Sequence, residues 1–199
     1  MKIKIIGDGV FGTFLQEVLS SQTEIAEQAD IIILAVPFAA YFSVAKENKG
    51  KHLVNVCSVQ EDTNRACLEH SPRVTGLHPL FGPRSPIEGR TAILTHENPE
   101  SQEVIELFRK VGCQIIRELP DGRKIDGKIH DQMMAQTHLA GVLMAEKLQQ
   151  IVDRSQWIPD NCLPTSFKRM RELVKQFQDF SPGTLQSILS NKYGDNIGQ

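Results

Sequence analysis

His78 stands in Gly76-Leu77-His78-Pro79-Leu80-Phe81-Gly82-Pro83, a stretch stiffened by two prolines and freed by two glycines. Proline fixes φ and removes a donor, whereas glycine opens backbone conformations closed to other residues. A histidine in such a loop has a well-defined direction. It either hydrogen-bonds a rigid turn or exchanges a proton in a cleft, because imidazole titrates near neutral pH. A second stretch, Gly7-Asp8-Gly9-Val10-Phe11-Gly12, has the G-x-G-x-x-G spacing of a phosphate cradle. In that pattern the first glycine makes the turn, the second lets backbone approach a pyrophosphate, and the third lets a helix pack on a strand. A third candidate is Ser58, in Cys57-Ser58-Val59-Gln60. Its hydroxyl either caps a helix or bonds a ligand.

The elements that must position these residues alternate. Residues 2 to 6 read as a short strand, and Phe14, Leu15, Val18 and Leu19 give the periodicity of the helix that follows the glycines. That context assigns the glycine loop to nucleotide binding, with the helix N-terminus supplying free N–H groups and partial positive charge. A full dinucleotide fold has a second strand ending in an acid that holds the adenosine ribose. Here Thr23 to Gln28 leads straight into Ile31-Ile32-Ile33-Leu34-Ala35-Val36, with no room for a strand, a helix and another strand. Glu24 and Glu27 are the nearby acids, and neither ends a recognisable strand. The adenosine side of the pocket therefore reads as cut down. Pro37 breaks the apolar run and places Val36, Pro37 and Phe38 at the strand's carboxyl edge, where such sheets bind ligands.

Further strands are expected at His52–Cys57, at Arg73–Thr75 feeding the His78 loop, at Thr91–Thr95 and at Gln114–Arg117. A crossover is expected at 39–49, and helices at 61–70 and from Asn98 to Val111. Beyond Pro120-Asp121-Gly122-Arg123 the pattern turns helical, with segments near 128–152, 165–180 and 183–191. The fold class is α/β. A Rossmann-like, mainly parallel sheet lacking part of the usual second-strand region spans residues 1–122, and a small all-α C-terminal dimerisation region spans 123–199. The late helices are too few to bury their own apolar faces, which points to a homodimer.

Composition excludes several classes. A net charge of −2 gives no electrostatic case for nucleic acid or an anionic membrane. No apolar run reaches the ~18 residues of a membrane span. Cys57, Cys67, Cys113 and Cys162 include no C-x-x-C pair, which argues against a thiolate metal site or a disulfide framework. They read as small buried apolar residues of a protein in the reducing cytoplasm. No metal site is expected. His52, His70 and His96 read as solvated loop residues.

The glycine loop, Ile31 to Pro37, Cys57-Ser58-Val59, Gly76 to Pro83 and His130-Asp131-Gln132-Met133-Met134-Ala135 together resemble the prephenate/arogenate dehydrogenase family. The chain looks like a shortened member of it, without a regulatory domain, a chorismate mutase region or further C-terminal helices. The resemblance implies NAD(P)-dependent oxidative decarboxylation in tyrosine biosynthesis, with NAD or NADP as cofactor and a prephenate-like substrate. It implies that His78 accepts the proton of the substrate hydroxyl while hydride leaves the same ring carbon, and that Ser58 helps to hold substrate and nicotinamide. His130 and Asp131 match the family's H-D pair, whose aspartate suits a helix cap.

Departures from the family pattern are specific. Gln60 stands where a lysine is common, and Val142 where a substrate-binding histidine is common, His138 lying four residues, about one helical turn, earlier. The carboxylate-clamping arginine aligns with Lys175 or Gln176, with Lys168, Arg169 and Arg171 as substitutes. Lysine neutralises a carboxylate but lacks arginine's bidentate fork. His130, His138, Lys168, Lys175 and Gln176 are therefore the candidate substrate residues. Two other readings stay open: a degenerate, non-catalytic binding or dimerisation module, and a dehydrogenase for another small carboxylate.

Overall fold

The computed structural model describes residues 1–178 and 180–194. A seven-stranded sheet forms its centre, built from β1 (Lys2–Ile6), β2 (Glu24–Ile25), β3 (Ile31–Leu34), β4 (His52–Asn55), β5 (Val74–Pro79), β6 (Thr91–His96) and β7 (Gln114–Ile116). The spatial order is β2-β1-β3-β4-β5-β6-β7. The first five strands are mutually parallel, β6 turns back antiparallel to β5, and β7 is parallel to β6. The order reverses at β1, so the carboxyl ends of β1 and β3 flank the crevice where sheets of this kind bind ligands.

Both faces are covered, which explains the apolar run of β3. Ile31 and Ile33 meet α1 (Val10–Ser20) and α4 (Ser101–Lys110) through Phe14, Leu15, Leu19, Val104, Ile105 and Phe108. Ile32 and Leu34 point the other way, onto α2 (Tyr41–Glu47) and α3 (Glu61–Leu68), where Tyr41, Ala45 and Cys67 lie. All four β3 side chains are buried, each contributing about 1.5–3 kcal/mol relative to exposure. After β7 the chain forms α5 (Gly127–Met134), a five-residue π turn (Ala135–Leu139) and α6 (Ala140–Arg154) as one run. It then doubles back through α7 (Thr165–Gln178) and closes with α8 (Pro182–Leu189).

Four sequence expectations are corrected. A second strand exists, but it is two residues long and pairs only with Lys2 and Ile3. His78 and Pro79 belong to β5, not to a loop, so sheet hydrogen bonds rather than a stiff turn fix the direction of His78. His52 is buried in β4 and bonds Thr75 Oγ1 through Nε2 (2.8 Å), while His70 packs edge-on to Phe42 with ring centres 5.0 Å apart and His96 is half-buried at the end of β6. Cys162 is exposed, whereas the other three cysteines are buried.

A buried polar network joins β4, α3 and β6 beneath the crevice. Asn55 Nδ2 donates to Thr63 Oγ1 (2.7 Å) and Asn64 Oδ1 (2.8 Å), Asn64 Nδ2 donates to Thr95 Oγ1 (3.0 Å), and Thr95 Oγ1 donates to Gln60 Oε1 (2.6 Å). Gly76 lies against this network. A Cβ at that position would sit 2.5 Å from both Asn64 Oδ1 and Thr95 Oγ1. Gly76→Ala is therefore expected to lower the stability by about 1–3 kcal/mol, measured as a shift of the urea midpoint; an unchanged midpoint would show that the network yields freely.

Candidate active site

The site begins with a buried carboxylate. Asp131 is 1 % exposed, and three N–H groups converge on it. Oδ1 accepts from the backbone of Gln60 (2.7 Å) and from His130 Nδ1 (2.7 Å), and Oδ2 accepts from the backbone of Glu61 (2.9 Å). These two backbone groups open α3, whose own first residues supply no side-chain cap. The carboxylate thus caps a helix distant in sequence, where the partial positive charge favours an anion. The H-D pair does not start its own helix. Asp126 does that, accepting from Ile129 N (2.8 Å), and His130 lies fully buried in the helix interior.

His130 passes the constraint on to His78. Its Nε2 is 2.8 Å from His78 Nδ1, and the two rings meet edge to face at 81°. Hydrogen-bond complementarity fixes both tautomers. An ionised carboxylate only accepts, so His130 carries its proton on Nδ1 and presents a lone pair at Nε2. That lone pair takes the Nδ1–H of His78, which leaves the lone pair of His78 on Nε2. No described residue bonds this nitrogen. Burial, helped by the proximity of His130 and His138, holds His78 well below the ordinary imidazole range, so it is neutral at physiological pH. The chain Asp131–His130–His78 therefore orients an uncharged base with one free acceptor.

Other predicted residues gather around that base to different degrees. Among the described residues Ser58 caps nothing; its Oγ is buried without a hydrogen-bond partner just past the carboxyl end of β4. Gln60 points away into the polar network, its Nε2 donating to Cys57 O (2.6 Å). His138 falls in the π turn, half-buried, with its ring edge on Phe180 and centroids 5.4 Å apart. Such turns are frequent at functional sites, because the extra residue re-aims the side chains that follow. Val142 packs with Leu139 and Ile188 in the helical core.

Lys168 and Lys175 are not brought to His78. They flank Asp160, which Arg171 pairs at 2.7 Å and which all three cations hold below the usual carboxylate range, Arg171 most strongly. Lys175 lines a groove with Gln149, Val152 and Arg171 on the outside of the α6–α7 pair. The side chain of Gln176 lies outside the described residues.

Sequence reasoning missed the segment that closes the site. Ser187 Oγ accepts from the backbone of Phe38 (3.2 Å), Asn191 Nδ2 donates to Asp131 O (2.8 Å), and Tyr193 Oη donates to Glu61 (2.7 Å). Lys192 pairs with Glu61 (3.0 Å) and Asp62 (3.2 Å). Residues 187 to 193 thereby run from the end of β3 to the start of α3. These residues carry no local motif, so nothing in the sequence marked them.

At the neighbouring crevice, Gly7 adopts φ +123°, and an added Cβ there would overlap the carbonyl of Ala35. A Cβ on Gly12 would overlap the carbonyl of Gly7, whereas the space beside Gly9 is open. Gly9 caps α1 without a side chain, and the first turn, from Val10 through Phe11 and Gly12, holds no acidic residue. Asp8 is exposed. Close packing below and open N–H groups above fit a pyrophosphate. Val36, Pro37 and Phe38 border the same crevice from β3.

No family model matches the chain. A curated protein of Methanocaldococcus jannaschii, described as a probable arogenate/prephenate dehydrogenase, is 29% identical over 153 residues, covering 68% of this chain. The chain is a relative of the prephenate/arogenate dehydrogenases. It spans about a third of that curated protein's length (33%). Two solved members of the family share the fold. Prephenate dehydrogenase from A. aeolicus, in complex with hydroxyphenyl propionate and NAD+, gives a TM-score of 0.72 at 15% identity, covering 98% of this chain and 84% of its own. Synechocystis arogenate dehydrogenase gives 0.64 at 16%, covering 94% and 82%.

Burial makes the site sensitive to acid. His52, His78, His96 and His138 are all held below the ordinary imidazole range, with burial the leading cause for each. Unfolded histidines titrate near about 6.5, so below that pH the unfolded chain binds protons that the native chain refuses. Stability is complete above about pH 6.5 and falls as the pH drops toward the native values. Thermal melts from about pH 7 to 5 are expected to show a falling Tm, with a shallower fall in His78→Asn. A flat Tm across that range would contradict the burial of neutral imidazoles.

Proposed function

We propose that this protein is an NAD(P)-dependent oxidoreductase that oxidatively decarboxylates prephenate or arogenate. The observation that carries the reading is the Asp131–His130–His78 chain, which ends in a neutral Nε2 that no described residue bonds. A nicotinamide cofactor, cradled by Gly7 to Gly12 and bordered by Val36, Pro37 and Phe38, supplies the hydride acceptor. His78 takes the proton of the substrate hydroxyl at Nε2 as hydride leaves the same carbon. The positive charge arising on His78 is stabilised through His130 by the Asp131 carboxylate, as in other chains where a buried acid orients an imidazole. Loss of carbon dioxide returns its bonding pair to the ring, which becomes aromatic. Ser58, whose hydroxyl has no partner among the described residues, is suited to hold the substrate oxygen or the nicotinamide.

Turnover of prephenate or arogenate with NAD+ or NADP+ tests this reading directly. His78→Asn is expected to lower kcat by about 10²–10⁴-fold without weakening cofactor binding, and Asp131→Asn to lower kcat while lowering the pH at which activity is lost, because the imidazolium loses its stabilising carboxylate. An unchanged rate in His78→Asn removes that residue from the chemistry, and no turnover of either substrate in the unaltered protein removes the activity.

A binding module without catalysis is the second reading, and the two-residue β2 favours it. A dehydrogenase for another small carboxylate is the third, favoured by the position of Lys168 and Lys175 beside Asp160. All three accommodate a homodimer. Met144 is 64% exposed, Ile151 48%, Leu173 47% and Trp157 81%, a concentration of apolar surface on α6, α7 and the turn between them that a second copy would cover. Light scattering is expected to give twice the chain mass, with Trp157→Ser or Met144→Glu shifting it to the monomer; a monomeric unaltered protein rejects the dimer. Among the described residues, no helix is long and apolar enough to cross a membrane.

A further inference from the structure

The path between β2 and β3 bears on which part of a nucleotide this protein reads. Where a dinucleotide is held in full, the second strand rises beside the first to the carboxyl edge and ends there in an acid for the adenosine ribose, or a nearby cation for a 2′-phosphate. Here β2 pairs with Lys2 and Ile3, at the amino end of β1. The last bond between them runs from Ala26 N to Ile3 O (2.9 Å). Three further residues of β1, about 10 Å, separate that point from the carboxyl end at Ile6.

The chain never makes up this distance. Ile31 opens β3 opposite Ile3, so residues 26 to 30 cross beneath β1 without a helix and return to the amino edge. Gln28, Ala29 and Asp30 line a cavity on that edge together with Met1, Lys2 and His52.

The acids of the segment are engaged at the same end. Glu24 pairs with Lys2 (3.0 Å), Glu27 with Lys4 (2.7 Å), and Asp30 with Arg73 (2.7 Å) and Lys51 (3.7 Å). Among the described residues, the β2–β3 segment therefore brings neither a carboxylate nor a cation to the adenosine side of the Gly7–Gly12 loop. The other half of the crevice has its parts: the open loop N–H groups, Val36 to Phe38, and the unpartnered Ser58 Oγ.

We infer that this protein recognises a pyridine dinucleotide by its pyrophosphate and nicotinamide half alone, and does not discriminate at the adenosine ribose or the adenine ring. The inference rests on the nucleotide-binding reading above and deepens it. Such a site binds more weakly than a full one, and it takes dinucleotides of either phosphorylation state equally.

Calorimetric titration of the whole protein with NAD+, NADP+ and nicotinamide hypoxanthine dinucleotide tests the inference, since the three differ only in the adenosine half. Their dissociation constants are expected to agree within about threefold, and Glu27→Ala, an exposed position, to leave each within about twofold. A tenfold gap between any two ligands, or a tenfold loss of NAD+ affinity in Glu27→Ala, overturns the inference while the nucleotide-binding reading stands. If none of the three binds at millimolar concentration, both fall together.

Discussion

One buried carboxylate holds the candidate site in register. Asp131 simultaneously caps α3, orients His130 and, through it, aims His78. The elements it joins come from β4's exit, from α5 and from β5, so three parts of the chain share one charge. Burying an ion is costly unless hydrogen bonds replace its water, and three N–H donors with the partial charge of a helix start provide that replacement here. The Asn191 bond to the carbonyl of the same residue adds the C-terminal segment to the assembly. Any group that loosens Asp131 disturbs the helix start, the tautomer of His130 and the direction of His78 together.

Two local signals survived the step from sequence to structure almost unaltered. The glycine loop follows a strand and opens a helix, because its spacing reflects contacts within one short segment. The apolar run at Ile31 became a strand covered on both sides for the same reason. What stayed hidden depends on pairings across the chain. His78 looked like a loop residue because prolines and glycines surround it, yet the ladder to β6 extends through Pro79. Asp131 looked like a cap for its own helix, and instead caps one that begins at Glu61. Lys168 and Lys175 stand near the family's carboxylate clamp in sequence, but in the fold they lie beside Asp160. Periodicity cannot report any of these, since each rests on a contact whose partner lies far away in the sequence.

The candidate site holds neutral rather than charged histidines. Burial disfavours the imidazolium at four positions, and at His78 the neighbouring rings add to that effect. A base that stays unprotonated at neutral pH is ready to accept, and the carboxylate two rings away becomes useful only once a proton has arrived. The polar network below, from Asn55 to Gln60, carries no charge of its own and serves to keep the end of β4 in place. Rigidity beneath and a relay to one side leave Nε2 as the group able to respond to a ligand.

The brevity of β2 has a second outcome, at the margin of the sheet. From Lys4 to Ile6 the outer backbone of β1 has no neighbouring strand among the described residues. An unpaired edge is a template on which another chain can add a strand, and natural sheets guard such edges with charge. Lys4 stands on this one, with Lys2 on the paired stretch just before it, and the two are tethered to Glu27 and Glu24. Those ion pairs, worth little to folding at an exposed surface, act as a guard against edge-to-edge self-association.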